Sequence, residues 1–140
     1  DHALYEKAVI DLENGNNSVA IAEFSNLMKE RPRSLLKPDA LLKRALAYQN
    51  IQNKNEAIKE YKTILKAHPT HSSAPSALLS LQELLSESGR MNELSAVLND
   101  YKKVNPNSQA LLTIDLRKAE QAFFDGEFKK SIQLFKEYIQ

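Results

Sequence analysis

The stretch NGNNSVAIAEF at residues 14–24 returns near the other end of the chain as DGEFKKSIQLF at residues 125–135. Each runs through an acid or amide, a glycine, a polar stretch, a small residue followed by Ile, and a Phe. The offset is 111 residues, or three steps of 37. A true period of 37 requires two further copies in between, and they are present. Gly15 steps to Gln52, Gly89 and Gly126, and Phe24 steps to Tyr61, Leu98 and Phe135. Pro32, Pro69 and Pro106 keep the same step, as do Ala20-Ile21, Ala57-Ile58 and Ser131-Ile132, and Pro38 with Pro75. Four units follow one another without insertion or deletion, which marks a stacked repeat protein whose units bury their apolar faces only against neighbours.

Within a unit the apolar spacing is helical. Leu4, Ala8 and Leu12 step by four, and Ala20, Phe24, Leu27 and Met28 follow the three-and-four spacing of a second amphipathic helix. Gly15 and the amides Asn14, Asn16 and Asn17 separate the two, suiting a left-handed helix end and a new N-cap. Pro32 stops the second helix, while Pro38 and Pro75 fit the first turn of the next. The pattern predicts eight helices over residues 2–14, 17–30, 38–51, 54–67, 75–88, 91–104, 111–124 and 128–140. One pair departs from the rule. Small residues face each other in Ala8/Ala20, Ala45/Ala57 and Ala119/Ser131, but the third unit has Gln82 and Leu94, so its two helices should pack farther apart.

Composition narrows function. Of the 140 residues, 42% are apolar and 26% charged, as in a folded globular chain. No run approaches the roughly 18 apolar residues of a membrane span, so no direct membrane insertion is expected. Nineteen basic and 18 acidic residues give a net charge of +1, which offers no long-range attraction to phosphate backbones; no nucleic acid is expected as a partner. Cysteine is absent, which excludes disulfides and thiolate chemistry. The chain opens on Asp1 rather than Met and is expected to be an excerpt of a longer protein.

These residues resemble the tetratricopeptide repeat (TPR) family, whose pattern sets a small residue in the first helix, a turn glycine, Ala and then a large apolar residue in the second, and a closing Pro. The first unit matches with Ala8, Gly15, Ala20, Phe24 and Pro32; the second with Ala45, Tyr48, Ala57, Tyr61 and Pro69, Gln52 replacing the glycine; the fourth with Ala119, Gly126, Ser131 and Phe135. The common repeat has 34 residues, so each unit carries three more, placed after the prolines in PRSLLKP, PTHSSAP and PNSQALL. The longer repeat with such links is similar to a bacterial cell-envelope branch that includes the periplasmic TolA-binding protein and outer-membrane assembly lipoproteins. That likeness implies periplasm or cell envelope, with cytoplasm as the alternative. The family implies an all-α, right-handed superhelical solenoid of four antiparallel helix pairs, one domain over residues 1–140 with repeats near 1–37, 38–74, 75–111 and 112–140. It also implies a concave face lined by the first helices, partner binding, and no chemistry.

The chemical motifs give way to structural readings. His68 and His71 in HPTH have proline between them and no third ligand type placed nearby by the pattern, so no metal site is assigned. Asn16-Asn17-Ser18 fits a glycosylation sequon but begins a helix, where these residues cap. The basic run Lys29, Arg31, Arg33, Lys37, Lys43 and Arg44 sits near helix ends, where cations suit the macrodipole. The inner positions Tyr5, Val9, Lys43, Ser76 and Ser80 do not form the Lys/Asn/Arg carboxylate clamp of some relatives. With no nucleophile–base constellation, phosphate loop or HExxH, neither enzyme activity nor a cofactor is expected.

The expected function is that of a scaffold or adaptor binding a protein or peptide in the concave groove. The alternatives are a homo-oligomeric assembly domain and a regulatory domain of a larger protein. Tyr5, Leu42, Leu79 and Leu116 recur at the 37-residue step, with Val9, Leu12, Leu46 and Phe123 beside them; contiguous apolar surface of this kind marks an interaction site if it is open. The competing reading makes the column core between adjacent first helices. Glu83 and Glu120 would rim the groove and favour a partner with an apolar strip and basic flanks.

Overall fold

The computed structural model describes residues 1–124 and 128–139, apart from the side chains of 128, 129 and 131. Among the described residues there are eight α-helices and no strand. They are α1 (His2–Glu13), α2 (Asn17–Glu30), α3 (Lys37–Asn50), α4 (Lys54–Ala67), α5 (Ala74–Glu87), α6 (Leu94–Val104), α7 (Gln109–Phe124) and α8 (Phe128–Ile139). Each sequential pair forms a hairpin and the hairpins stack in order, giving an all-α helical repeat solenoid.

The turn inside each of the first three hairpins repeats atom for atom. Gly15 N–H donates to Leu12 O and Asn16 N–H to Asp11 O; Gln52 and Asn53, then Gly89 and Arg90, make the same two bonds 37 and 74 residues on. This is the Schellman ending, which needs a left-handed residue after the helix. Gly15, Gln52 and Gly89 have φ of 82°, 64° and 66°. Gly126, their expected counterpart, lies outside the described residues.

The three additional residues per unit build a second turn. Each proline pushes the residue before it out of the helical region, and Arg31, His68 and Asn105 accordingly share φ near −130°, at −127°, −133° and −128°. Ser34, His71 and Ser108 then donate their N–H to those residues' carbonyls. Their side chains accept in turn from the backbone N–H two positions on, at Leu36, Ser73 and Ala110. His71 Nδ1 thus serves as a turn acceptor in the place its neighbouring units give to a serine hydroxyl.

Two apolar clusters run through the stack. Ala8, Leu12, Ala20, Phe24 and Leu27 are closed over by Ala40 and Ala47 of α3, and Met28 bridges them to a larger cluster around Tyr61, Ile64, Leu78, Leu81 and Leu85. Each large side chain buried there contributes about 1.5–3 kcal/mol.

The third hairpin differs from the others. Gln82 and Leu94 are both buried, and the backbones of α5 and α6 approach one another over a far shorter stretch than those of the other three pairs. A 3₁₀ turn, Met91–Glu93, precedes α6, which was expected to begin at residue 91. Arg90 holds this turn by pairing with Glu93 through two nitrogens and donating to Asn55 Oδ1 at 3.0 Å. Glu93 also takes Lys62 Nζ at 2.7 Å, and its carboxyl sits at about 2, held down by Arg90 first and then Lys62. α7 docks against α5 rather than α6.

Candidate partner-binding face

The first helix of each hairpin carries the residues that the period aligns. Tyr5, Leu42, Leu79 and Leu116 are all half-buried. Tyr5 rests on the smaller apolar cluster. Leu42 and Leu79 rest on the larger core cluster. Tyr5 lies tilted on Phe24, ring centroids 5.9 Å apart, and its phenol is raised above the usual tyrosine range by burial first and by Asp39 of α3 second.

The flanking residues divide. Val9 is half-buried and Leu46 exposed. Leu12 is core: it is buried with Ala8, Ala20 and Ala47, so it presents nothing to a partner. The reason is its place under the α1–α2 turn, where α3 closes over it.

Toward the other end the face becomes polar. Glu83 is exposed and pairs loosely with Arg117, 3.4 Å away. Such a surface pair is worth about 0–1 kcal/mol. Arg117 also donates to Oε1 of buried Gln82 at 2.7 Å, a link from α5 to α7. Glu83 and Glu120 meet on the wall of a cavity of about 630 Å³, where Met91, Ala122, Phe124 and Leu134 supply apolar surface. Lys118 lines the same cavity. Phe123, exposed, sits edge-on to Phe124 at 6.2 Å, and the two share with Glu120 and Phe135 a hollow of about 460 Å³.

The cavity was not anticipated. It lies among α5, the Met91–Glu93 turn, α7 and α8, and Gln82, the departure from the small residues of the other units, is on its wall. A second unanticipated feature is a ladder of polar links between hairpins at a spacing of 33 residues. Asn50 Nδ2 donates to Asn17 Oδ1 at 3.0 Å, and Lys54 pairs with Glu87 at 3.4 Å. The next step of that ladder is Met91 and Phe124, both at the cavity wall.

Among the described residues no group of three or more His, Cys, Asp or Glu is placed to hold a metal ion, and no helix is long and apolar enough to cross a membrane.

Residues 39–71 match the tetratricopeptide repeat family profile. The matched segment is almost the whole second unit, the one with Ala45, Ala57, Tyr61 and Pro69 in their expected places. Solved structures extend the likeness to the rest of the chain. Nearly identical TPR-like repeats from a protein assigned as a kinesin light chain in Podosopora anserina superpose with a TM-score of 0.62 at 14% identity, over 99% of this chain and 72% of that one. A singly substituted form of the same repeats gives 0.63 at the same identity and coverage. At such identity the likeness concerns the fold, and it holds across all four hairpins. No curated protein matches the sequence.

Proposed function

We propose that the chain is a protein-interaction module that holds a partner segment along the concave face of α1, α3, α5 and α7. TPR repeats are in general protein–protein interaction modules, and one repeat of this chain matches that family. The observation that carries the finer reading is the half-open column Tyr5, Leu42, Leu79 and Leu116, continued by exposed Leu46 and Phe123. A helix or extended peptide with an apolar strip fits such a column, and a basic flank fits the end where Glu83 and Glu120 stand.

Selection of binders from a displayed random-peptide library tests this directly. Enriched peptides should carry an aliphatic or aromatic strip beside Lys or Arg. Leu79→Glu should abolish their binding while leaving helical content and melting temperature nearly unchanged, and Lys59→Glu on α4 should bind as the parent does. Equal loss of folding in Leu79→Glu would show that the column is core and not site, and binding that survives it would show that the column does not hold the partner.

A further inference from the structure

Between the second and third hairpins, the second helices α4 and α6 leave a groove of about 630 Å³. Its apolar lining is Leu65 and Pro69 from the α4 side and Ala96, Val97 and Val104 from α6. Leu65 is buried and Val97 half-buried, while Ala96 and Val104 are exposed. Two links join the walls. At the start of α6 Lys62 Nζ reaches Glu93 at 2.7 Å, and just past its end Asn105 Nδ2 donates to Pro69 O at 2.8 Å. A hairpin stands on either side, so the groove lies within the stack and not at an end of it.

The 37-residue step supplies an internal comparison. Ala96, Val97, Asp100 and Val104 of α6 stand where α4 has Lys59, Glu60, Thr63 and Ala67. The third unit has thus put Ala and Val where the second has two charges. Val104 is 49% exposed, and an exposed valine is a poorer helix former than the alanine it replaces, so neither the helix nor the solvent calls for it.

The charges on the two walls differ. Lys62 and Lys66 line the groove and, with Lys59 and Arg90, an adjoining hollow of about 310 Å³. Arg90 and Lys62 are engaged by Glu93, whereas Lys59 and Lys66 are exposed and, among the described residues, in no ion pair. On the α6 wall Asp100 is exposed.

We propose that this groove is a second docking surface, which takes an acidic amphipathic helix of a partner protein. The partner's apolar stripe, spaced i, i+3 and i+7, lies along Leu65, Val97 and Val104, since a helix packs into the furrow between two others by such ridges. Its carboxylates face Lys59 and Lys66, and a cation on its other flank faces Asp100. The surface is formed by second helices and uses none of the column Tyr5, Leu42, Leu79 and Leu116, so it stands if binding along that column fails. The two sites also ask for flanks of opposite sign, acidic here and basic beside Glu83 and Glu120.

Three stapled, fluorescein-labelled helices with the same leucine stripe and Glu, Gln or Lys along one flank test this by fluorescence polarisation. The Glu-flanked helix should bind about tenfold tighter than the Gln-flanked one, the contrast that two surface ion pairs supply, and added salt should erase the difference. Ala96→Glu should abolish its binding, and Lys59→Glu with Lys66→Glu should weaken it about tenfold, with melting temperature unchanged because all three side chains are exposed. Leu79→Glu should leave the Glu-flanked helix bound and release the Lys-flanked one, which separates failure here from failure of the concave face. A Glu-flanked helix that binds no better than the Gln-flanked one, or that survives Ala96→Glu, overturns the proposal. So does self-association of the parent in sedimentation velocity that Ala96→Glu removes, which would make the occupant a second copy of the chain.

Discussion

Replacing the Arg44–Glu60 pair of the second hairpin by the apolar pair found at the same columns of the third should cost far less than removing either charge alone. Lys7 and Glu23, Arg44 and Glu60, Leu81 and Val97, and Lys118 and Leu134 occupy these two columns. The first two pairs are ion pairs, at 2.6 and 2.7 Å. In the second, Arg44 Nε and Nη2 each reach Glu60 at 2.7 Å, and the side chains are only 19% and 8% exposed. Removing one member of a buried pair leaves a charge without a partner and costs about 3–5 kcal/mol. The residual exposure of Arg44 puts Glu60→Val near the lower end, about 3 kcal/mol, and Arg44→Leu about the same. Arg44→Leu/Glu60→Val removes both charges and restores the pair α5 and α6 already use, so its cost should be about 1 kcal/mol or less, since apolar replacement of a buried ion pair is often neutral. Arg44 also donates to Ser25 Oγ at 2.9 Å, but Ser25 keeps its own bond to Ile21 O at 2.7 Å, so no new polar atom is stranded. Urea denaturation followed by circular dichroism reads all three values. At about 4 °C per kcal/mol for a chain of this size, each single change lowers Tm by roughly 12 °C. A double variant as unstable as the two singles added together would refute the assignment of the penalty to an unpaired buried charge.

Gln52→Gly should raise Tm by about 2–3 °C, because a left-handed Gln costs about 1–2 kcal/mol that glycine does not, offset in part by glycine's greater backbone entropy. Gly15→Ala and Gly89→Ala should each destabilise by about 1 kcal/mol through the backbone alone, since an added Cβ meets nothing within 4 Å at either position. His68 titrates below the usual histidine value, through burial first and then Lys37 and His71, so the unfolded chain binds that proton more readily than the folded one. Stability should therefore be full above about pH 6.5 and fall as pH drops through and below that value, and His68→Gln should flatten the profile measured by urea midpoints. Phe24→Ala, at a fully buried ring, should cost about 3–5 kcal/mol, while Phe124→Ala, at a mostly exposed one, should stay within about 0.5 kcal/mol in the same assay.

The 37-residue step made the architecture legible because it fixes register. Every turn glycine, proline and helix boundary among the described residues follows from it to within two residues, except the start of α6. What register leaves open is how closely two helices approach, since that depends on the volume at one contact pair. Gln82 and Leu94 mark the third hairpin as different, but the cavity beside it also needs α7 to lean on α5 and Arg117 to reach Gln82, and neither belongs to the pattern. The site residues show the same division. Column 12, 49, 86, 123 holds Leu12 in the core, Gln49 accepting from Tyr61 Oη, Ser86 on the cavity wall and Phe123 exposed. One register position meets four environments because the neighbours on either side differ, and a period cannot say which neighbour closes over it.

The face proposed to bind a partner also has a direction. Column 5, 42, 79, 116 is apolar throughout, as Tyr, Leu, Leu and Leu, whereas the adjacent column 9, 46, 83, 120 changes from Val9 and Leu46 to Glu83 and Glu120. A bound peptide therefore meets apolar surface along its whole length but carboxylates at one end only. Glu83 is already engaged by Arg117 at 3.4 Å, in a solvent-exposed pair weak enough for a partner's cation to displace. Each such pair contributes at most about 1 kcal/mol, so the two carboxylates favour one orientation by roughly tenfold and add little to total affinity. A library-selected peptide with a spin label at its basic end should broaden the resonances of Leu116 and Phe123 and leave those of Val9 sharp, and Glu83→Lys with Glu120→Lys should remove that contrast. Equal broadening at both ends of the parent would mean that the apolar column holds the peptide without orienting it, and the acidic step would then have no part in recognition.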